Sequence, residues 1–210
     1  MNQPNDLALS VTNSDIIYLS GQNFVADTVA GISGDLWTCI GNRTFQFSQQ
    51  ILAIANIHRT NGIETSPDGQ FLYLSSAENR GGEVIANRIF KFTLNEDGSI
   101  RNAVPTLFFD FIGEEAAVDI DGMRTDTEGN LYVTRNGAGK IVKLSPDGEL
   151  LLVIELPGNA GPTNLEFGGI EGKMLFAVGR CEDEIGAGCA NLIVLDSIGK
   201  AFANLQSQRS

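Results

Sequence analysis

The sequence predicts an all-β fold of the propeller class, with about four blades present in the chain. Three observations predict it. Four segments repeat one another in order, short runs rich in β-branched and aromatic residues fill the chain, and Gly, Asp and Asn separate those runs. Registered on their apolar residues Leu7, Ile63, Met123 and Leu165, the copies place Asn5, Asn61, Asp121 and Thr163 at equivalent positions, 56, 60 and 42 residues apart. A period of that size, holding about four short strands, marks a propeller blade; shorter solenoid repeats fit less well and long helical repeats do not fit.

The first copy opens on Asn5-Asp6-Leu7-Ala8-Leu9-Ser10, and a strand over residues 16–19 carries Tyr18 and leads into Ser20. An apolar run over residues 49–57 can be read as helical, but its position before the second copy favours a strand. That copy, Asn61-Gly62-Ile63-Glu64-Thr65-Ser66-Pro67-Asp68-Gly69, turns at Pro67-Asp68-Gly69 into a strand over residues 71–74, and a further strand covers 88–93 before the Glu96-Asp97-Gly98 turn. The third copy starts at Asp121-Gly122-Met123 and continues as strands over residues 131–134, 140–144 and 150–156, with a turn at Pro146-Asp147-Gly148. The fourth and weakest is Thr163-Asn164-Leu165-Glu166-Phe167, followed by Met174-Leu175-Phe176-Ala177-Val178. The second strand of each copy carries one aromatic, Tyr18, Tyr73, Tyr132 or Phe176, expected to pack between neighbouring blades. No linker divides the chain, so residues 1–210 are read as a single partial propeller domain.

Bulk composition narrows the function. Apolar residues make up 42% and charged residues 19%, which suits a globular core and argues against wholesale disorder. With 14 basic and 26 acidic residues the net charge is −12, so no basic stripe for a nucleic-acid backbone is expected. Apolar runs fall short of the roughly 18 residues that span a bilayer, and the first residues lack the basic-then-apolar pattern of a signal peptide. A soluble protein with no membrane partner is expected, and its compartment stays open. Cys181 and Cys189 flank a polar, glycine-containing loop between two strand-like runs; they are either bridged across it or two ordinary thiols, with Cys39 left over. The only histidine is His58, which removes Cys/His metal spacings and leaves a Ser-His-Asp triad no evident partners.

A radial array brings equivalent first-strand positions to its centre, which makes Asn5, Asn61 and Asp121 candidate site residues. Singly, Asn and Asp at strand mouths are ordinary turn formers; their repetition at one register position is what singles them out. Asp119 is a candidate to support Asp121, since residues i and i+2 share a face of a regular strand. Arg135, just after the strand that Asp121 opens, is a candidate substrate contact. His58 and Arg59 precede the Asn61 motif and are within reach of the channel mouth, although an ordinary loop role suits His58 better.

These segments resemble the gluconolactonase family, which includes senescence marker protein (regucalcin) and luciferin-regenerating enzyme. The matching residues are Pro4-Asn5-Asp6-Leu7, Asn61-Gly62-Ile63 with Ser66-Pro67-Asp68-Gly69, Asp121-Gly122-Met123 with Glu128-Gly129-Asn130-Leu131-Tyr132-Val133, and Gly161-Pro162-Thr163-Asn164-Leu165-Glu166-Phe167-Gly168-Gly169. Lys91-Phe92-Thr93-Leu94-Asn95-Glu96-Asp97-Gly98 between them agrees as well. The resemblance implies a six-bladed propeller with one divalent cation in its channel, calcium first and zinc, manganese or magnesium as alternatives. It implies metal ligands at Asn61 and Asp121, a catalytic role for Asp121, and contact with water or substrate at Asn5. The substrate class it implies is a sugar lactone or related cyclic ester. The family takes a further ligand from a Glu in a Glu-Gly-Pro context ahead of the Pro-Asn-Asp motif, and no Glu-Gly-Pro occurs in this sequence. By that comparison about a third of the propeller, its N-terminal part, is missing; a fragment, a wrongly started reading frame and a natural truncation are all open, and association with a second copy or a partner that supplies the missing blades is expected.

Asn and Asp oxygens suit a hard cation whose other positions are filled by water. A cation beside a lactone polarises its carbonyl and acidifies a bound water, and the carboxylate of Asp121 is placed to orient or deprotonate that water. The rival reading is a non-catalytic propeller serving as a ligand- or protein-binding platform, favoured by the lack of the Glu. A strictosidine-synthase-like propeller shares the strand-turn repeats without requiring the Asn/Asp series.

Overall fold

Each repeat folds as one sheet with its strands hydrogen-bonded in chain order. The computed structural model describes residues 3–23, 27–113, 118–182 and 186–207. The first sheet is β1 (Pro4–Leu9), β2 (Ile16–Gln22), β3 (Gly34–Ile40) and β4 (Arg43–Gln46). After α1 (Gln49–Ile54) comes the second sheet, β5 (Arg59–Thr65), β6 (Phe71–Arg80), β7 (Glu83–Thr93) and β8 (Thr106–Asp110). The third is β9 (Asp119–Thr125), β10 (Leu131–Asn136), β11 (Lys140–Leu144) and β12 (Leu150–Glu155); the fourth is β13 (Asn159–Gly168), β14 (Met174–Cys181) and β15 (Gly188–Val194), before α2 (Lys200–Ser207). These four sheets are the blades the repeats predict. The chain divides into two compact units, Met1–Ile120 and Asp121–Ser210.

The register bears out the alignment of the copies. Leu7 lies opposite Leu19, Ile63 opposite Leu74 and Leu165 opposite Ala177, so the anchors occupy one position in three sheets. Ala8, Glu64 and Glu166 then face Tyr18, Tyr73 and Phe176. In the first unit Ala8, Ile16, Tyr18 and Leu36 pack with Ile63, Leu72, Leu74, Phe90, Phe92 and Leu94 of the next sheet. The Tyr18 hydroxyl crosses to donate to the carbonyl of Gly98, a glycine whose φ of 84° lets the β7–β8 turn present that carbonyl. In the second unit Tyr132 meets Phe167 of the fourth sheet edge-on, with ring centroids 5.1 Å apart. Tyr18 and Tyr132 thus pack between blades as expected. Tyr73 is also buried and packs against Phe108 of its own sheet. Phe176 departs from the expectation: it is 39% exposed, on a face shared with the exposed Val178 and Leu192. Its position in the sheet is equivalent, but no neighbouring sheet covers it among the described residues.

The run over residues 49–57 is the other correction, since it forms α1 rather than a strand. Ser48 caps it, its Oγ accepting from the Ile51 N–H at 3.3 Å, and Asn56 ends it with a φ of 58°. One helical turn is unstable alone. Here Leu52 is fully buried in the first unit's core, which contributes about 2 kcal/mol relative to exposure.

The cysteine alternatives resolve into a bridge, Cys181–Cys189, joining the ends of β14 and β15 with Cα atoms 5.0 Å apart. Cys39 is the free thiol. Thiol titration of the denatured, unreduced chain is therefore expected to count one thiol, rising to three after reduction; three before reduction would contradict the bridge. No helix is long and apolar enough to cross a membrane among the described residues.

Candidate functional site

The repeats place a β-bulge at each opener whose register is resolved. The strand pairing shifts between Pro4 and Leu7, between Thr60 and Ile63, and between Pro162 and Asn164. A bulge inserts a residue, breaks the ladder and re-aims a side chain, which is why bulges recur beside functional sites. Each break must still satisfy its backbone polar groups when buried.

In the first unit, Asn61 sits in the bulge of β5 and is 7% exposed. Its backbone N–H donates to Ser75 Oγ at 3.2 Å. Its side-chain oxygen Oδ1 is buried with no hydrogen-bond partner among the described residues. A buried amide carbonyl left unpaired costs about 1–3 kcal/mol, which marks this oxygen out from its paired neighbours. Asn5 lies in the equivalent bulge of β1 but is exposed.

Arg59 and Asp119, both flagged by the sequence, form a buried ion pair. The Arg59 guanidinium is 2% exposed and also donates to Asn79 Oδ1 at 3.2 and 3.3 Å and to Gln22 Oε1 at 3.1 Å. Arg59 is thereby committed to structure rather than open to a channel mouth. His58 is buried too, with Nδ1 3.3 Å from Thr28 Oγ1 and Nε2 3.8 Å from Glu78. Burial pushes its pKa below the ordinary histidine value, against the pull of Glu78 and with help from Arg88.

In the second unit, Asp121 is half-buried on β9, and its Oδ2 accepts from Asn136 Nδ2 at 3.1 Å. Asn136 had not been singled out by sequence, although it ends β10 two residues beyond Thr134 and so shares a strand face with it. Thr134 Oγ1 donates to the Gly122 carbonyl at 3.1 Å. Gly122 must be glycine for another reason: a Cβ there would stand 2.3 Å from Asn164 Oδ1. Arg135 is fully buried at the end of β10. Thr163, the fourth opener, is exposed and spends its own hydroxyl on the Val178 carbonyl at 3.2 Å.

Asn61 Oδ1 in the first unit and the Asp121 carboxylate in the second are each hard oxygen donors of the kind calcium takes. No group of three or more His, Cys, Asp or Glu placed to hold a metal occurs among the described residues.

Comparison with known proteins agrees with this architecture. The model of the SMP-30/Gluconolactonase/LRE-like region matches residues 33–178. A gluconolactonase of Zymomonas mobilis is 29% identical over 186 residues, covering 83% of this chain and 47% of its own length. A 6-deoxy-6-sulfogluconolactonase of Pseudomonas putida is 28% identical over 134 residues, 64% of this chain and 42% of its own length. The chain therefore spans less than half the length of these curated relatives. Among solved structures, a calcium-binding protein, regucalcin, from Agrobacterium tumefaciens superposes with a TM-score of 0.71 at 20% identity, over 94% of this chain and 62% of that one. That likeness shows the fold, an all-β propeller arrangement of four blades. With the family model matching more than half of its residues, the chain belongs to the SMP-30/gluconolactonase/LRE-like family.

Proposed function

We infer that this chain carries Asn61 and Asp121 as ligands of one divalent cation, calcium before zinc, manganese or magnesium, in a hydrolase that opens a sugar lactone or related cyclic ester. The observation that carries this reading is the orphaned, buried Oδ1 of Asn61, a hard oxygen without a partner at the repeated opener. Relatives named gluconolactonase and 6-deoxy-6-sulfogluconolactonase support the substrate class.

The cation, when bound, supplies a Lewis acid for the lactone carbonyl and for a water. The chain's own groups do the rest. Asn136 donates to Asp121 Oδ2 and so fixes the carboxylate plane. The Asp121 carboxylate then accepts a proton from water as that water's oxygen bonds to the carbonyl carbon. The ring C–O bond breaks, and the leaving oxygen takes a proton, so that lactone plus water gives the hydroxy acid. Asn5, exposed on β1, and Arg135, buried at the end of β10, are the proposed substrate contacts.

The test is lactone opening followed by acid release, with glucono-δ-lactone as probe. Chelator is expected to abolish enzymatic opening and added calcium to restore it; turnover indifferent to chelator would overturn the metal-dependent reading. The binding-platform alternative is favoured by the short ligand set among the described residues. It predicts cation-independent ligand binding with no turnover.

A further inference from the structure

In three copies a buried hydroxyl on the second strand bonds the backbone of the opener or of the residue after it, and the chemistry above does not use it. Opposite the first bulge stands Ser20, whose Oγ accepts from the Asp6 N–H at 3.1 Å and donates to the Asp6 carbonyl at 3.3 Å. Opposite the second stands Ser75, whose Oγ accepts from the Asn61 N–H at 3.2 Å. In the third copy Thr134 Oγ1 donates to the carbonyl of Gly122, next to Asp121. Ser20, Ser75 and Thr134 are 0–1% exposed, and each follows the aromatic of its copy by two residues. The fourth copy has Val178 at that place, and there the opener's own hydroxyl closes the ladder. The opener of the fourth copy bonds its sheet with its own hydroxyl, whereas in the second copy that bond comes from the opposite strand.

We propose that Ser75 is a positioning residue: its buried hydroxyl ties down the bulged backbone of Asn61 and so aims Asn61 Oδ1 at the cation, while Ser20 and Thr134 hold the backbone of Asp6 and Gly122, next to the first and third openers. The inference deepens the metal-site reading and rests on it for the identity of the ligand. Outer-shell partners of this kind commonly change metal affinity by about 10–100-fold when removed.

The experiment uses the whole chain in three forms besides the unaltered one. Ser75→Ala removes the hydroxyl. Ser75→Thr restores one, as Thr134 shows a threonine to be accommodated at the equivalent place. Ser76→Ala is the matched control, because Ser76 is also buried and its Oγ accepts from the His58 N–H at 2.8 Å, away from the opener. The first readout needs no metal: amide hydrogen exchange and the side-chain amide resonances of Asn61. Ser75→Ala is expected to speed exchange at Asn61 and shift its side-chain signals, Ser75→Thr to reverse both, and Ser76→Ala to leave both alone. The second readout is calcium titration by calorimetry, where Ser75→Ala is expected to weaken affinity about tenfold or more, with Ser75→Thr recovering it. Unchanged Asn61 signals in Ser75→Ala overturn the positioning role whatever the metal does. Equal loss of affinity in Ser75→Ala and Ser76→Ala overturns it too, by making the effect general. Should Asn61 loosen as expected while the unaltered chain binds no calcium, the positioning of Asn61 stands and the metal-site reading falls.

Discussion

Asp121→Asn is expected to lower lactone turnover by about 10²–10⁴-fold, the range of a lost general base, while leaving the melting temperature nearly unchanged. The substitution keeps the shape of the side chain and an oxygen for the 3.1 Å hydrogen bond from Asn136 Nδ2. What it removes is the negative charge, and with it both the proton acceptor and the only carboxylate of the proposed ligand set. The side chain is only half-buried, so the fold bears little of the loss. Calcium titration on the same variant separates the two roles: weakened binding together with lost turnover marks a ligand, whereas lost turnover at full occupancy marks a base alone. Turnover and binding both equal to those of the unaltered chain would place the chemistry elsewhere.

Asp119→Ala is expected to destabilise the chain by about 3 kcal/mol, because it removes a carboxylate paired with a buried guanidinium, and to lower the melting temperature by roughly 10 °C. Arg59 is 2% exposed and Asp119 19% exposed, so the ion pair is largely shielded from water. Asn79 and Gln22 still accept from Arg59 in the variant. The comparator is Arg124–Glu166 at 2.9 Å, where Glu166 is 51% exposed and Glu166→Ala is expected to cost under about 1 kcal/mol. Similar small losses for both would mean that water reaches Arg59. Arg59 precedes Asn61 by two residues and Asp119 precedes Asp121 by two, so Asp119→Ala is also expected to weaken calcium binding.

The blade repeat was legible because each copy keeps an opener, an apolar anchor and an aromatic at constant spacing, and the strand register preserves those relations. Strand pairing is a local, period-two property, and alternation records it directly. What the sequence concealed depended on partners distant in the chain or on short caps. The fate of Phe176 is set by the presence or absence of a sheet beside it, not by its own strand. The Arg59–Asp119 pair joins residues 60 positions apart, and neither motif announces the other. The run of α1 was expected as a strand because it leads directly into the second copy, although the Ser48 cap and the Asn56 stop that make it a helix were present to be read. The buried hydroxyls were also visible, as Ser20, Ser75 and Thr134 at one place in three copies. Their meaning emerged only once the bulges opposite them were known.

The claim on which this account turns is that Asn61 and Asp121 ligate the same cation. A crystal of the chain soaked with calcium, measured for anomalous scattering, tests it most directly. The expected result is a single peak at about 2.3–2.6 Å from both Asn61 Oδ1 and a carboxylate oxygen of Asp121, the range for calcium–oxygen bonds. A peak that touches neither residue, or no peak at a calcium concentration that restores turnover, would contradict it.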